Sequence, residues 1–246
     1  MTDGTAAPAP PAAPRSRGLV GRVVGVLTSP RATYAEVAAR PRWLGALALV
    51  LVMNIGASLV FFSTPVGQQA ALDQNLRTTE SFGRRISDAD YERMQRAAPY
   101  IGTLAAAGQL ILAPIIMLVL SGIAFAALTA GMGGDATFKQ VFAVVAHSSF
   151  LIVLQQLFVL PLDYARETLT SPTNLAVFLP FLDENTFVAR LFGGIDLFII
   201  WWMMSLAIGL GVLYKRRTTP IATTMFVVYG VLALALAAIR TALAGA

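Results

Sequence analysis

The sequence predicts an all-α fold, a polytopic membrane helix bundle with five transmembrane helices, and three observations carry that expectation. The chain is 57% hydrophobic and only 13% charged over 246 residues, with a mean hydropathy of +0.70. Five stretches, 43–62, 101–130, 141–162, 191–214 and 219–239, stay apolar over the length of a span, about 20 residues at a helical rise of roughly 1.5 Å each. Arginines and lysines gather near the ends of these stretches.

One membrane domain accounts for most of the length and leaves no room for a second folded soluble domain. Cysteine is absent, which excludes disulfide and thiolate chemistry. The formal charge is +5, and of the 18 basic residues only Lys139 and Lys215 are lysine. Abundant Ala, Gly and Arg point to a GC-rich, bacterial coding sequence.

Residues 1–18 are filled with Pro and Ala and cannot bury enough surface to offset chain entropy, so they are expected to form a disordered tail. They lack an apolar core, so no cleavable signal peptide is expected and the first span serves as an uncleaved signal anchor. Residues 19–42 read as cytoplasmic amphipathic juxtamembrane helices. Leu19, Val20, Val23, Val24 and Leu27 recur at helical spacing, with Arg17 and Arg22 at other angles. Ser29 then reads as an N-cap and Pro30 as the first residue of a second short helix that Pro41 ends. Arg17, Arg22, Ser29 and Pro30 therefore mark a candidate interfacial segment. It would lie in the headgroup plane or offer a docking surface to a soluble partner.

The five-helix domain occupies 43–241. Its first long connection, 63–100, carries a cap-and-start signal at Thr64–Pro65 and a capping box at Ser87 and Asp90. A Glu92–Arg96 pair follows at i,i+4, and short solvated helices are expected there, ending at Pro99. Pro114 removes a backbone donor in mid-span and frees the carbonyl of Leu110, which predicts a kink. Gly122 with Ala126, and Ser205 with Gly209, form small-xxx-small pairs that permit close backbone approach. In the second long connection, 163–190, Ser171–Pro172 starts an apolar run, Leu175–Leu182, that is too short to span and is interrupted by Pro180.

Orientation follows from basic residues near the span ends. Arg15, Arg17, Arg22, Arg31, Arg40 and Arg42 precede the first span, and Lys215, Arg216 and Arg217 join the fourth to the fifth. With five spans, both segments and the turn 131–140 lie on one side. The N-terminus is expected in the cytoplasm and the C-terminus outside.

Polar groups in hydrocarbon are costly and therefore informative. Gln140, His147, Ser148 and Gln155 fall within about a 100° arc of the third span and form a candidate intramembrane polar cluster. It would serve interhelical hydrogen bonds, worth about 0.6 kcal/mol each, or a polar path for protons, ions or headgroups. Asp196 opens the fourth span. It is a candidate cap and a candidate ion-pair partner for Arg190 or Arg240 near the outer interface.

No P-loop, zincin or nucleophile-elbow motif is present, and a single histidine rules out any site with two His ligands. Catalytic, cofactor-binding and metal-binding residues are therefore not expected, nor is a nucleic-acid partner.

One ordered set of landmarks remains. Leu27–Thr28–Ser29–Pro30, Tyr34 and Arg40–Pro41–Arg42–Trp43 lead into the first span. Gly133–Gly134 and the run Asp135 to Gln140 precede the third, which carries Ala146–His147–Ser148. Ile195–Asp196–Leu197–Phe198–Ile199–Ile200–Trp201–Trp202 opens the fourth, followed by Ile208–Gly209–Leu210. Over residues 19–240 this order resembles the bacterial branch of the Yip1 domain family. The resemblance implies a five-helix membrane domain with a cytoplasmic N-terminus. Eukaryotic relatives associate with small GTPases and with one another, but their D-L-Y-G-P signature is missing here, which puts small-GTPase binding in doubt. No catalytic residue carries over. The expectation is a non-enzymatic, multi-pass protein of the inner membrane that contacts the lipid bilayer and organises membrane-protein partners, or self-associates. The alternative is a small channel, lipid-handling or transport component that uses the polar stripe.

Overall fold

A computed structural model describes residues 17–131, 133–183 and 186–244. The tail expected over 1–18 therefore lies, up to residue 16, outside the described residues. The described chain is an all-helical bundle of the membrane type. Leu44–Phe62, Asp88–Thr129, Phe138–Arg166 and Thr218–Leu243 are each long and apolar enough to cross a bilayer.

A helical hairpin comes first, α1 (Leu19–Thr28) and α2 (Pro30–Ala39). α3 (Leu44–Phe62) and α4 (Pro65–Ser81) follow, and the Thr64 hydroxyl caps α4 by accepting the Gly67 N–H. α5 (Asp88–Ala97) is capped by Ser87, which accepts from the Asp90 N–H. The expected Glu92–Arg96 ion pair does not form. Arg96 donates to the Glu92 carbonyl, and Arg93 pairs with Asp90 one turn earlier. Nor does the helix stop at Pro99. A single 3-10 turn over Ala98–Tyr100 carries the chain straight into α6 (Ile101–Phe125). Proline is tolerated at the start of such a turn because its missing N–H has no partner to lose. α6 contains Pro114 and ends in a π-turn, Ala126–Ala130.

The third span divides into α7 (Phe138–Ser148) and α8 (Phe150–Arg166) at Ser149. The Ser148 and Ser149 hydroxyls both donate to the Val145 carbonyl. Such back-bonding draws that carbonyl away from the regular ladder and bends helices. Two short elements follow, a 3-10 turn at Leu175–Phe178 and α9 (Phe187–Gly193). The 3-10 turn starts from an Asn174 cap, not from Ser171–Pro172. α10 (Leu197–Leu213) begins six residues later than the 191 expected for the fourth span, because residues 194–196 are non-helical. At 17 residues it is about 26 Å long, short for a span by itself. α11 (Thr218–Ala244) runs past the expected end at 239.

α7 is the hub. Residues 141–151 are buried around the whole helix circumference, as a core helix requires. α3 packs between α6 and α8, and α10 packs between α11 and α7. Over half (56%) of the apolar window of Phe138–Arg166 is buried inside the molecule, against 11% for Asp88–Thr129 and 17% for Thr218–Leu243. The bundle therefore has one central span and two, α6 and α11, whose apolar surface faces outward.

Candidate functional site

The N-terminal hairpin is built into the bundle. α2 packs against α10 and α7, and Thr33, Tyr34 and Val37 are fully buried. The Tyr34 and Ser205 hydroxyls are hydrogen-bonded at 2.7 Å. The ring lies over Gly209, where an added Cβ would come within 3.0 Å of Tyr34 Cδ1 and 2.5 Å of Val144 Cγ1. The Ser205–Gly209 pair thus admits a tyrosine from α2, not the backbone of another span. Burial pushes the Tyr34 phenol well above its ordinary pKa, against a smaller lowering by Ser205.

Inside the hairpin the charges point inward. Arg22 is 4% exposed and pairs with Glu36 at 3.3 Å. The Arg17 N–H donates to Glu36, and its guanidinium donates to the Ser29 and Thr33 hydroxyls. Gly25 leaves the space these groups fill, since a Cβ there would collide with the Thr33 hydroxyl. Pro30 is the first residue of α2, but the Ser29 hydroxyl makes no cap bond because it serves Arg17. The stripe of Leu19, Val20, Val24 and Leu27 is exposed. α1 accordingly buries Arg22, Gly25 and Val26 against the protein and turns Leu19, Val20, Val24 and Leu27 outward.

The four residues of the polar stripe are not brought together. Gln140 stands at the start of α7 in a capping box with Thr137, and its side-chain amide also donates to the Ala38 carbonyl at the end of α2. This corrects its assignment to an intramembrane cluster. His147 is fully buried, with Nδ1 2.7 Å from the Ala143 carbonyl, its ring against Phe150 and Nε2 unpartnered. An Nδ1 facing a carbonyl carries a proton, and in the neutral imidazole Nε2 is then an acceptor. Ser148 accepts from the Trp202 indole of α10. Gln155 donates to Asp196 at 3.0 Å.

Asp196 is the most heavily hydrogen-bonded side chain of this group. One oxygen accepts from Gln155 and from the N–H groups of Phe198 and Ile199, as a cap of α10. The other accepts from the Ser171 and Thr173 hydroxyls, at 2.9 and 2.6 Å. Around it the backbone is extended. Leu175 donates to Ile195 and Leu197 to Thr173, which forms an isolated bridge between Asn174 and Asp196. The Tyr229 hydroxyl of α11 donates to the Gly194 carbonyl and accepts the Asp196 N–H. Non-helical backbone is tolerated at this depth where protein covers it and satisfies its polar groups. The expected ion pair is not formed. Neither Arg190 nor Arg240 reaches Asp196, whose acceptor sites are taken by neutral donors. Arg190 donates to the Arg240 carbonyl instead, and the Arg240 guanidinium lies over the Phe82 ring.

The groups that organise this region and that sequence reasoning passed over are Thr137, Ser171, Thr173, Trp202 and Tyr229. Only Thr137 had a local signal, the T-x-x-Q spacing to Gln140. No curated protein and no solved structure matches the chain. A model of the Yip1 domain matches residues 24–239. Because that match runs from within α1 to the last turns of α11, taking in the Tyr34 socket and the Asp196 clamp alike, the chain belongs to the Yip1 domain family.

Proposed function

We propose that this multi-pass membrane protein is a non-enzymatic organiser of other membrane proteins, resident in a bacterial inner membrane with its N-terminus in the cytoplasm and its C-terminus outside. The docking of α2 is the observation that carries this reading. Tyr34 fixes the hairpin to the central spans, so a partner that engages the hairpin is coupled to the bundle and not to a loose tail. Of the polar stripe, Gln140, Ser148 and Gln155 are committed to bonds inside the chain, as a scaffold needs and an open path does not. α6 and α11 carry broad apolar faces suited to lipid or to neighbouring helices.

The orientation is supported by where the basic residues meet. Arg31 of α2 donates to Thr218 at the start of α11, and Gln140 donates to the end of α2. The segments carrying Arg31 to Arg42, Lys139 and Lys215 to Arg217 therefore share one end of the bundle, which the excess of positive charge assigns to the cytoplasm.

Crosslinking mass spectrometry from native membranes tests the proposal. Stoichiometric partners, or a second copy, crosslinked through residues of α1 and α2 are expected. A chain that crosslinks to nothing and yet conducts ions or moves lipid in vesicles would contradict it.

A further inference from the structure

At the end of the bundle opposite the hairpin, Arg190 and Arg240 meet, and Arg84 and Arg85 stand on a neighbouring turn, with the Asp90 carboxylate close enough to Arg84 to feel its charge. Arg190 of α9 spends one donor on the Arg240 carbonyl, near the C-terminus of α11. This is a common way to satisfy a helix-end carbonyl. The Arg240 guanidinium sits 5.4 Å from the centroid of the Phe82 ring. Arg84 and Arg85 follow Phe82 on the turn that packs against α11, where Gly83 approaches the Leu243 carbonyl so closely that a Cβ could not fit. Among the described residues none of these four arginines takes part in a salt bridge. Two polar atoms here are also buried with no hydrogen-bond partner, Arg240 Nε and the Thr241 hydroxyl. Buried donors are nearly always satisfied in folded proteins, so these two are open to an acceptor from outside the chain.

The surroundings say what carries that acceptor. Leu236 and Leu243 lie one turn before and one turn after Arg240, on the same face of α11, and both are exposed, as is Ile239. Phe187 and Val188 of α9 are exposed beside Arg190. Guanidinium groups outside any salt bridge, with the exposed Leu236 and Ile239 on the bilayer side of Arg240, match a molecule with a negative head and hydrocarbon tails. Guanidinium groups grip phosphate oxygens in a planar, two-pronged geometry, and basic pockets at helix ends bind anionic headgroups.

We propose that Arg190 and Arg240, assisted by Arg84 and Arg85, hold the phosphate of an anionic glycerophospholipid whose acyl chains run inward along Ile239 and Leu236. This site is distinct from the hairpin and does not depend on the organising role proposed above.

The test is native mass spectrometry of the full chain in detergent, titrated with phosphatidylglycerol and, separately, with phosphatidylcholine. Phosphatidylglycerol is expected to bind at least fivefold tighter than phosphatidylcholine. In Arg190→Gln/Arg240→Gln that preference should fall to near unity. In Lys215→Gln/Arg217→Gln, which removes the same charge at the other end, it should persist. Arg84→Gln/Arg85→Gln alters two exposed side chains that make no side-chain bond in the structure, so it reads the site even where the first variant fails to fold, and a two- to threefold loss is expected. Millimolar glycerol 3-phosphate should not displace the lipid. An equal preference in all variants, equal binding of the two lipids, or displacement by glycerol 3-phosphate would overturn the proposal, the last by showing that a free phosphate ester suffices.

Discussion

The Tyr34 and Ser205 hydroxyls meet at 2.7 Å in a fully enclosed hydrogen bond, and through it a short helix before the first span becomes part of the bundle's core. Tyr34→Phe leaves the Ser205 oxygen without its partner and is expected to destabilise the chain by about 1–3 kcal/mol. Tyr34→Ala also empties the socket, with an expected loss of about 3–5 kcal/mol. Thermal unfolding in detergent, run with Ser205→Ala as a double-mutant cycle, measures both. A coupling energy near zero would show that the bond does not form.

Gly209 sets how deeply the ring can sit. Gly209→Val drives a side chain into Val144 and Tyr34, and overpacking of this kind costs about 1–3 kcal/mol. Val144→Ala removes the nearer obstacle and should restore part of that loss. Gly108→Ala and Gly230→Ala, where nothing lies within 4 Å of an added Cβ, serve as neutral controls in the same melting series.

The buried pair Arg22–Glu36 predicts an asymmetric response. Glu36→Gln strands a guanidinium whose side chain is only 5% exposed, and loss of one member of such a pair costs about 3–5 kcal/mol. Replacing both, Arg22→Met with Glu36→Leu, should recover most of the stability because no unpaired charge remains. Denaturant titration of the two variants distinguishes these outcomes.

Asp196 fastens three segments at once. Asp196→Asn keeps the size but replaces one acceptor oxygen with a donor amide that faces donors. A loss of about 1.5–3 kcal/mol follows for bonds to a charged acceptor. Amide exchange should quicken at Leu175 and Leu197, whose N–H groups close the bridge. Gln155→Ala removes one donor of five and should do less.

What the sequence revealed depended on how local the physics was. The caps at Thr64, Ser87 and Asp196 were legible because a cap joins residues two or three apart. The long apolar stretches were legible because bilayer thickness sets a length. The start of the fourth span was misread because apolar residues 191–195 continue the composition, while the backbone there answers to Asn174, some 20 positions earlier. The fit of Tyr34 into Ser205–Gly209 lay beyond reach for a similar reason. Small residues at four-residue spacing announce a close approach but do not name what approaches. The Asp196–Arg240 pair was a reasonable reading of unlike charges at one depth. Two hydroxyls and an amide from remote segments reached the carboxylate instead.

The most direct measurement of the central claim, that α2 is docked in the bundle, is hydrogen–deuterium exchange on the full chain in lipid nanodiscs. Amides of Thr33 to Val37 are expected to exchange as slowly as those of Leu206 to Leu210 in α10, since both open only when the bundle does. Exchange of the α2 amides orders of magnitude faster than those of α10 would contradict the account, because it would place α2 on the surface of the protein.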